Sequence, residues 1–226
     1  MTEAVPNQAI VRRIRLAGLL YLTIIIAGLS AELWLRGPLI DLADAEGTAA
    51  AIRAAPGQFQ SAIAADLVMA LCDAGLAVLL YLIFRRVAQG LALAAMVFRL
   101  IQSTLIAANL MALQTAWILL SERSHIADAE SLALVFLSLH GYGYDLGLMF
   151  FGVNSLIMGQ LVWRSGNFAR GFGAGLAAAG LVYLAGSAVR FFAPDLSATF
   201  APAYAVTIIA ETAFCLRLLT QRGRWA

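Results

Sequence analysis

The sequence predicts an all-α integral membrane protein: a six-transmembrane-helix bundle with both termini cytoplasmic. Three observations predict it. The chain of 226 residues is 62% hydrophobic and only 12% charged, about half the charge of a soluble domain. Its apolar residues gather into runs of about 20 or more, the length that crosses a bilayer. The arginines and the acids fall on alternate sides of those runs, as the positive-inside rule requires.

The spans are expected at 16–35, 60–84, 88–120, 131–163, 170–193 and 203–220, in one domain covering 1–226. The first follows Arg12, Arg13 and Arg15. Its length exceeds the core of a signal peptide, so it reads as a retained helix. The second carries Asp66 and Asp73 within an otherwise apolar run that ends at Arg85 and Arg86. Seven residues make almost two helical turns, so the two acids share a face, and that face must look into protein or water. The third and fourth spans are longer than a bilayer needs and must tilt, protrude or break. In the fourth, Gly141 and Gly143 mark where a kink is permitted; a helix that simply protrudes is the alternative. Pro6, Pro38, Pro56, Pro194 and Pro202 all fall outside the expected spans. That placement suits a residue lacking a helix N–H.

Arg12, Arg13, Arg15, Arg85, Arg86, Arg164, Arg170, Arg222 and Arg224 are expected on the cytoplasmic side. The opposite loops hold Asp41, Asp44, Glu46, Glu122, Asp128, Glu130 and Asp195, against Arg36, Arg53 and Arg123. The longest of those loops, 36–59, has room for a short interfacial helix over 44–55, with Thr48 as its cap and Pro56 as its stop; a plain connector is the alternative. Glycine pairs at four-residue spacing, Gly143 with Gly147 and Gly171 with Gly175, suit close helix packing.

Composition also excludes chemistry. All fifteen basic residues are Arg, so no lysine can form a Schiff base. The net charge of +2 gives no footprint for nucleic acid. Cys72 and Cys215 lie in apolar spans and imply no disulfide framework. His140 sits near the outer interface and His125 in a loop, so neither a zinc centre nor a bis-histidine haem is expected. No cofactor and no metal are assigned.

What remains is an intramembrane constellation. By distance from the span ends, Asp73, Arg99 and Glu211 lie near mid-membrane. Glu32, Asp66, Asp145, Arg190 and His140 form a second layer nearer the outer face. Arg99 is expected to pair with Asp73, Glu211 or both, and Arg190 with an outer acid. The inference is a polar hollow reaching inward from the outer surface, suited to a small-molecule or ion ligand or to proton-coupled transport. Two alternatives stay open: a membrane-embedded enzyme using these acids, and a non-catalytic accessory or sensor subunit. In the second, the ion pairs are structural glue. The partner common to all three is the lipid bilayer.

Several stretches resemble one family. These are the run from Arg15 to Gly28, Leu139-His140-Gly141, Phe150-Phe151-Gly152, the run from Gly159 to Arg170, the run from Ala179 to Ser187, and Glu211. Together they resemble a bacterial multi-pass membrane family described as a domain of unknown function, number 4386. The resemblance implies a bacterial inner-membrane protein and supplies no activity. The family often carries a second histidine two residues after the position of His140. Here that residue is Tyr142, which argues further against a metal site.

Overall fold

A computed structural model describes residues 8–121 and 126–221. His125, Glu122, Arg123, Arg222, Arg224 and Pro6, named above, lie outside the described residues. Among the described residues all regular structure is helical. Six stretches are long and apolar enough to cross a membrane.

The helices are α1 (Gln8–Ser30), α2 (Ala45–Ala54), α3 (Pro56–Phe84), α4 (Gln89–Leu120), α5 (Ala129–Ser165), α6 (Arg170–Phe192), α7 (Ser197–Phe200) and α8 (Tyr204–Leu219). The six long ones close a ring in the order α1, α3, α4, α5, α6, α8, with α8 returning to α1. The Arg15 guanidinium donates to the Gln221 carbonyl at 3.4 Å, so both described ends of the chain lie at one end of the ring, the terminal side. Large apolar residues such as Leu71, Met111 and Ile209 are about two-thirds exposed on the outside of the ring. A lipid-facing surface requires that arrangement, since tails solvate hydrocarbon as well as a core does.

On the terminal side the ring is filled solid. Ile14, Leu76, Leu80, Phe84, Phe214 and Leu218 pack there with almost no exposure. On the far side a second core joins Ile52 of α2, Phe59 of α3, Leu113 of α4 and Leu137 of α5. This second core explains the length of α5. Its 37 residues run without a break through Gly141 and Gly143, about 55 Å at 1.5 Å per residue. Its first turns protrude beyond the bilayer thickness and are covered by α2.

The short helix over 44–55 forms, with a different cap. The Asp44 carboxylate accepts from the Gly47 amide at 2.9 Å. The Thr48 hydroxyl is turned back onto Asp41, donating to its carbonyl at 2.8 Å. Asp44 precedes the first helical turn, where an acceptor reaches the free N–H groups; Thr48 lies one turn too late. Pro56 opens α3 as its first residue, a position where its missing N–H costs nothing.

Glycines set the closest helix contact. A Cβ on Gly159 would sit 2.6 Å from the Gly173 carbonyl oxygen, and one on Gly180 would sit 2.7 Å from the Gly152 carbonyl oxygen. Thus α5 and α6 touch backbone to backbone through glycines seven residues apart on each helix. The four-residue pairs behave differently. Gly143 and Gly147 receive Asn109 and Ile106 of α4, while a Cβ on Gly171 would meet nothing within 4 Å.

Candidate functional site

Between the two packed cores the ring is hollow. A chamber of about 310 Å³ draws lining from all six long helices, including Gly28, Asp73, Arg99, Tyr144, Tyr183 and Glu211. Toward the far side lies a vestibule of about 690 Å³, whose wall includes Arg36, His140, Asp145 and Arg190. Glu32, Tyr144, Leu148 and Tyr204 belong to both walls, so the two spaces adjoin.

The chamber floor is a buried ion pair. Arg99 Nε donates to Asp73 Oδ1 at 2.7 Å and Nη2 lies 2.6 Å from the same oxygen. Both side chains are 3% exposed. Two charges placed together in a low dielectric attract strongly, yet both have lost their water. Arg99 recovers part of that loss from π faces. Its guanidinium carbon is 5.2 Å from the Tyr21 ring centre and 4.9 Å from that of Phe151.

Glu211 faces the same space from α8 and is held differently. Tyr183 donates to Oε1 at 2.5 Å and Tyr21 to Oε2 at 3.0 Å. These are neutral donors. They satisfy both oxygens but bring no positive charge. Gln102, 6% exposed, also lines the chamber, and its carbonyl oxygen has no protein partner.

In the vestibule, Arg36 bridges two acids. Nη1 donates to Asp66 and Nη2 to Glu32, each at 2.5 Å. Asp66 is buried, whereas the Glu32 side chain is 65% exposed. Residues Ala31–Arg36 form a π-helical turn that ends with the Gly37 amide donating to the Glu32 carbonyl. The wider turn carries the helical path past the expected end of the first span. Arg36, read from the sequence as a loop charge, is thereby drawn inward to 5% exposure. On the opposite wall Arg190 Nε lies 3.3 Å from Asp145 Oδ2, and the guanidinium covers the Tyr142 ring at 5.2 Å.

His140 is buried at 4% exposure. The Asn109 amide nitrogen donates to the His140 carbonyl at 2.7 Å, which fixes the amide's orientation. The same nitrogen lies 3.0 Å from His140 Nδ1, which is also 3.4 Å from the Asn109 carbonyl oxygen, while Nε2 has no protein partner.

Of the residues singled out in the sequence, Asp73, Arg99, Glu211 and Glu32 line the chamber. Glu32, His140, Asp145 and Arg190 line the vestibule. Asp66 lies behind Arg36. The mid-membrane arginine pairs directly with Asp73 alone; the Glu211 oxygens are taken by tyrosines. Sequence reasoning missed Arg36, Tyr144, Tyr204 and Gln102 as a lining set. Gln102 lies three residues after Arg99 on α4, and nothing in that spacing distinguishes lining from packing. Among the described residues no group of His, Cys, Asp and Glu is placed to hold a metal ion.

A ring of six membrane-crossing helices around an off-centre hollow, with Asp73, Arg99 and Glu211 turned inward, defines a polytopic α-helical membrane protein. The chain belongs to the family described as "Domain of unknown function (DUF4386)", whose sequence model matches residues 16–221. No curated protein and no solved structure matches the chain significantly.

Proposed function

We propose that this protein binds a small molecule within the membrane, admitting it from the far side through the vestibule into the chamber. The observation that supports this reading is the chamber itself: about 310 Å³ of space bordered by Asp73, Arg99 and Glu211 and adjoining a wider vestibule. Ionisable groups are costly in hydrocarbon, and a void beside them is costlier still if left empty. Structural glue alone is better served by closed packing. The arginines expected on the terminal side support a cytoplasmic position for that side; on this reading the vestibule opens outward from a bacterial inner membrane. The solid core on the terminal side suits an outward-open binding state. Coupled transport would add a second state in which Ile14, Leu76 and Phe214 part.

Cysteine accessibility tests the reading. With Cys72 and Cys215 replaced by Ala, Leu148→Cys and Thr212→Cys should react in intact cells with a membrane-impermeant thiol reagent. Ala77→Cys, in the packed terminal half, should not. Protection of all three positions would remove the outward cavity. Reaction of the first two only from the cytoplasmic face would reverse the orientation.

A further inference from the structure

The charges around the hollow are not balanced: five carboxylates face three arginines, so the Glu32–Asp66 pair on Arg36 keeps one acid in excess in the vestibule wall and Glu211 is the acid in excess in the chamber. Arg36 is committed to Glu32 and Asp66, Arg190 to Asp145, and Arg99 to Asp73. Glu211 has only phenol donors on its two oxygens. The Arg99 charge is within electrostatic reach of Glu211, but a single guanidinium cannot neutralise two carboxylates. Ionised, Glu211 gives the chamber one negative charge more than Arg99 cancels.

The neighbouring groups share its polarity. Gln102 presents its carbonyl oxygen as an unpaired acceptor on the chamber wall. Beside Glu211 the wall is aromatic. Tyr183 packs against Phe151 at 5.1 Å and against Tyr204 at 6.0 Å, ring centre to ring centre. Acceptors with π faces beside them attract a positively charged group that carries N–H donors. Much of the remaining lining, such as Ile24, Ile208 and Leu148, is hydrocarbon, with the hydroxyls of Thr207 and Thr212 among it. A bare metal ion would find too few oxygens there. An anion would meet Glu211 with every nearby arginine already engaged.

We propose that the chamber takes an organic ammonium ion: its charged head pairs with Glu211 and the Gln102 carbonyl, and its apolar body lies against Phe151, Tyr183 and Tyr204. Glu32, largely exposed where vestibule and chamber meet, attracts the cation inward. This assignment rests on the binding role proposed above and adds the ligand's charge and chemical class.

Three probes of similar size and different charge test it: phenethylammonium, propylbenzene and hydrocinnamate. Each is titrated by calorimetry against the full chain in nanodiscs at one ionic strength. Phenethylammonium should bind at least tenfold more tightly than propylbenzene, with hydrocinnamate weakest. Glu211→Gln should reduce phenethylammonium affinity at least tenfold and narrow its margin over propylbenzene. If that variant does not fold, the order of the three probes on the natural chain still decides. Hydrocinnamate binding as tightly as phenethylammonium, or an unchanged affinity in Glu211→Gln, would overturn the assignment. Absence of binding by all three probes would overturn it too. The thiol-labelling result separates the two levels: labelled Leu148→Cys and Thr212→Cys with no charge preference leave the cavity standing and remove only the ammonium ligand.

Discussion

Arg99→Gln is expected to destabilise the protein by about 3–5 kcal/mol, the cost of leaving a buried carboxylate without its partner. Asp73 has little alternative. Its side chain is 3% exposed, and among the described residues Arg99 is its only salt-bridge partner. Glutamine in place of arginine also empties the space between the Tyr21 and Phe151 rings. Asp73→Asn should cost a similar amount, because the stranded charge is then the guanidinium. The double variant should cost less than the sum of the two, with a coupling of about 1–3 kcal/mol, as for groups in direct contact. Thermal or SDS-driven unfolding of the four proteins in detergent measures this. Simple additivity would show that the pair, though close, is not an energetic unit.

Gly159→Val is expected to be nearly as damaging, for a steric reason. The new Cβ would stand 2.6 Å from the Gly173 carbonyl oxygen and 2.9 Å from the Ala177 amide nitrogen. Both are backbone atoms within α6, so no side chain can turn aside. The two helices must separate along their closest contact, and neighbouring side chains lose packing with them. Overpacking of this kind costs about 1–3 kcal/mol and more where backbone must move. The gain of roughly 1 kcal/mol in helix propensity when glycine is replaced by alanine does not offset that. Gly171→Ala is the control, since its Cβ would meet nothing within 4 Å. It should stay within about 0.5 kcal/mol of the natural chain. Equal melting of the two variants would show that the α5–α6 glycine contact does not limit helix approach.

These two sites differ in how readable they are from sequence. Asp73, Arg99 and Glu211 are conspicuous because ionisable residues are rare in apolar spans. Their need for company predicts that they face inward. Depth along each helix then predicts which can meet. It does not predict which acid wins Arg99, because that depends on helix rotation. Here rotation brings Asp73 to the guanidinium and gives Glu211 to the hydroxyls of Tyr21 and Tyr183. Glycines carry less information. Those at 152, 159, 173 and 180 look no different in sequence from Gly171, and the four-residue spacing drew attention to another set. Arg36 was obscured by a local event. A straight α-helix would release the chain near Leu35, whereas the π-helical turn adds residues and folds Arg36 against Asp66. The length of α5 was legible as an excess, but its explanation lies in α2, which covers the excess from another part of the chain.

The ring order follows from connectivity, since each long helix packs beside its neighbour in sequence and the last closes on the first. The hollow follows from where bulky residues stop. Ile14, Phe84, Phe214 and Leu218 fill the terminal half. Farther along the same helices, Gly28 of α1 and Thr207 and Thr212 of α8 line open space.

A density map of the protein in lipid, at a resolution that shows ordered water, tests the central idea most directly. The space between Arg99, Glu211 and Tyr144 should contain density that is not protein, continuous through Glu32 and Tyr204 with the far-side solvent. Side chains closed against one another there, with Arg99 and Glu211 in direct contact and no intervening space, would contradict it.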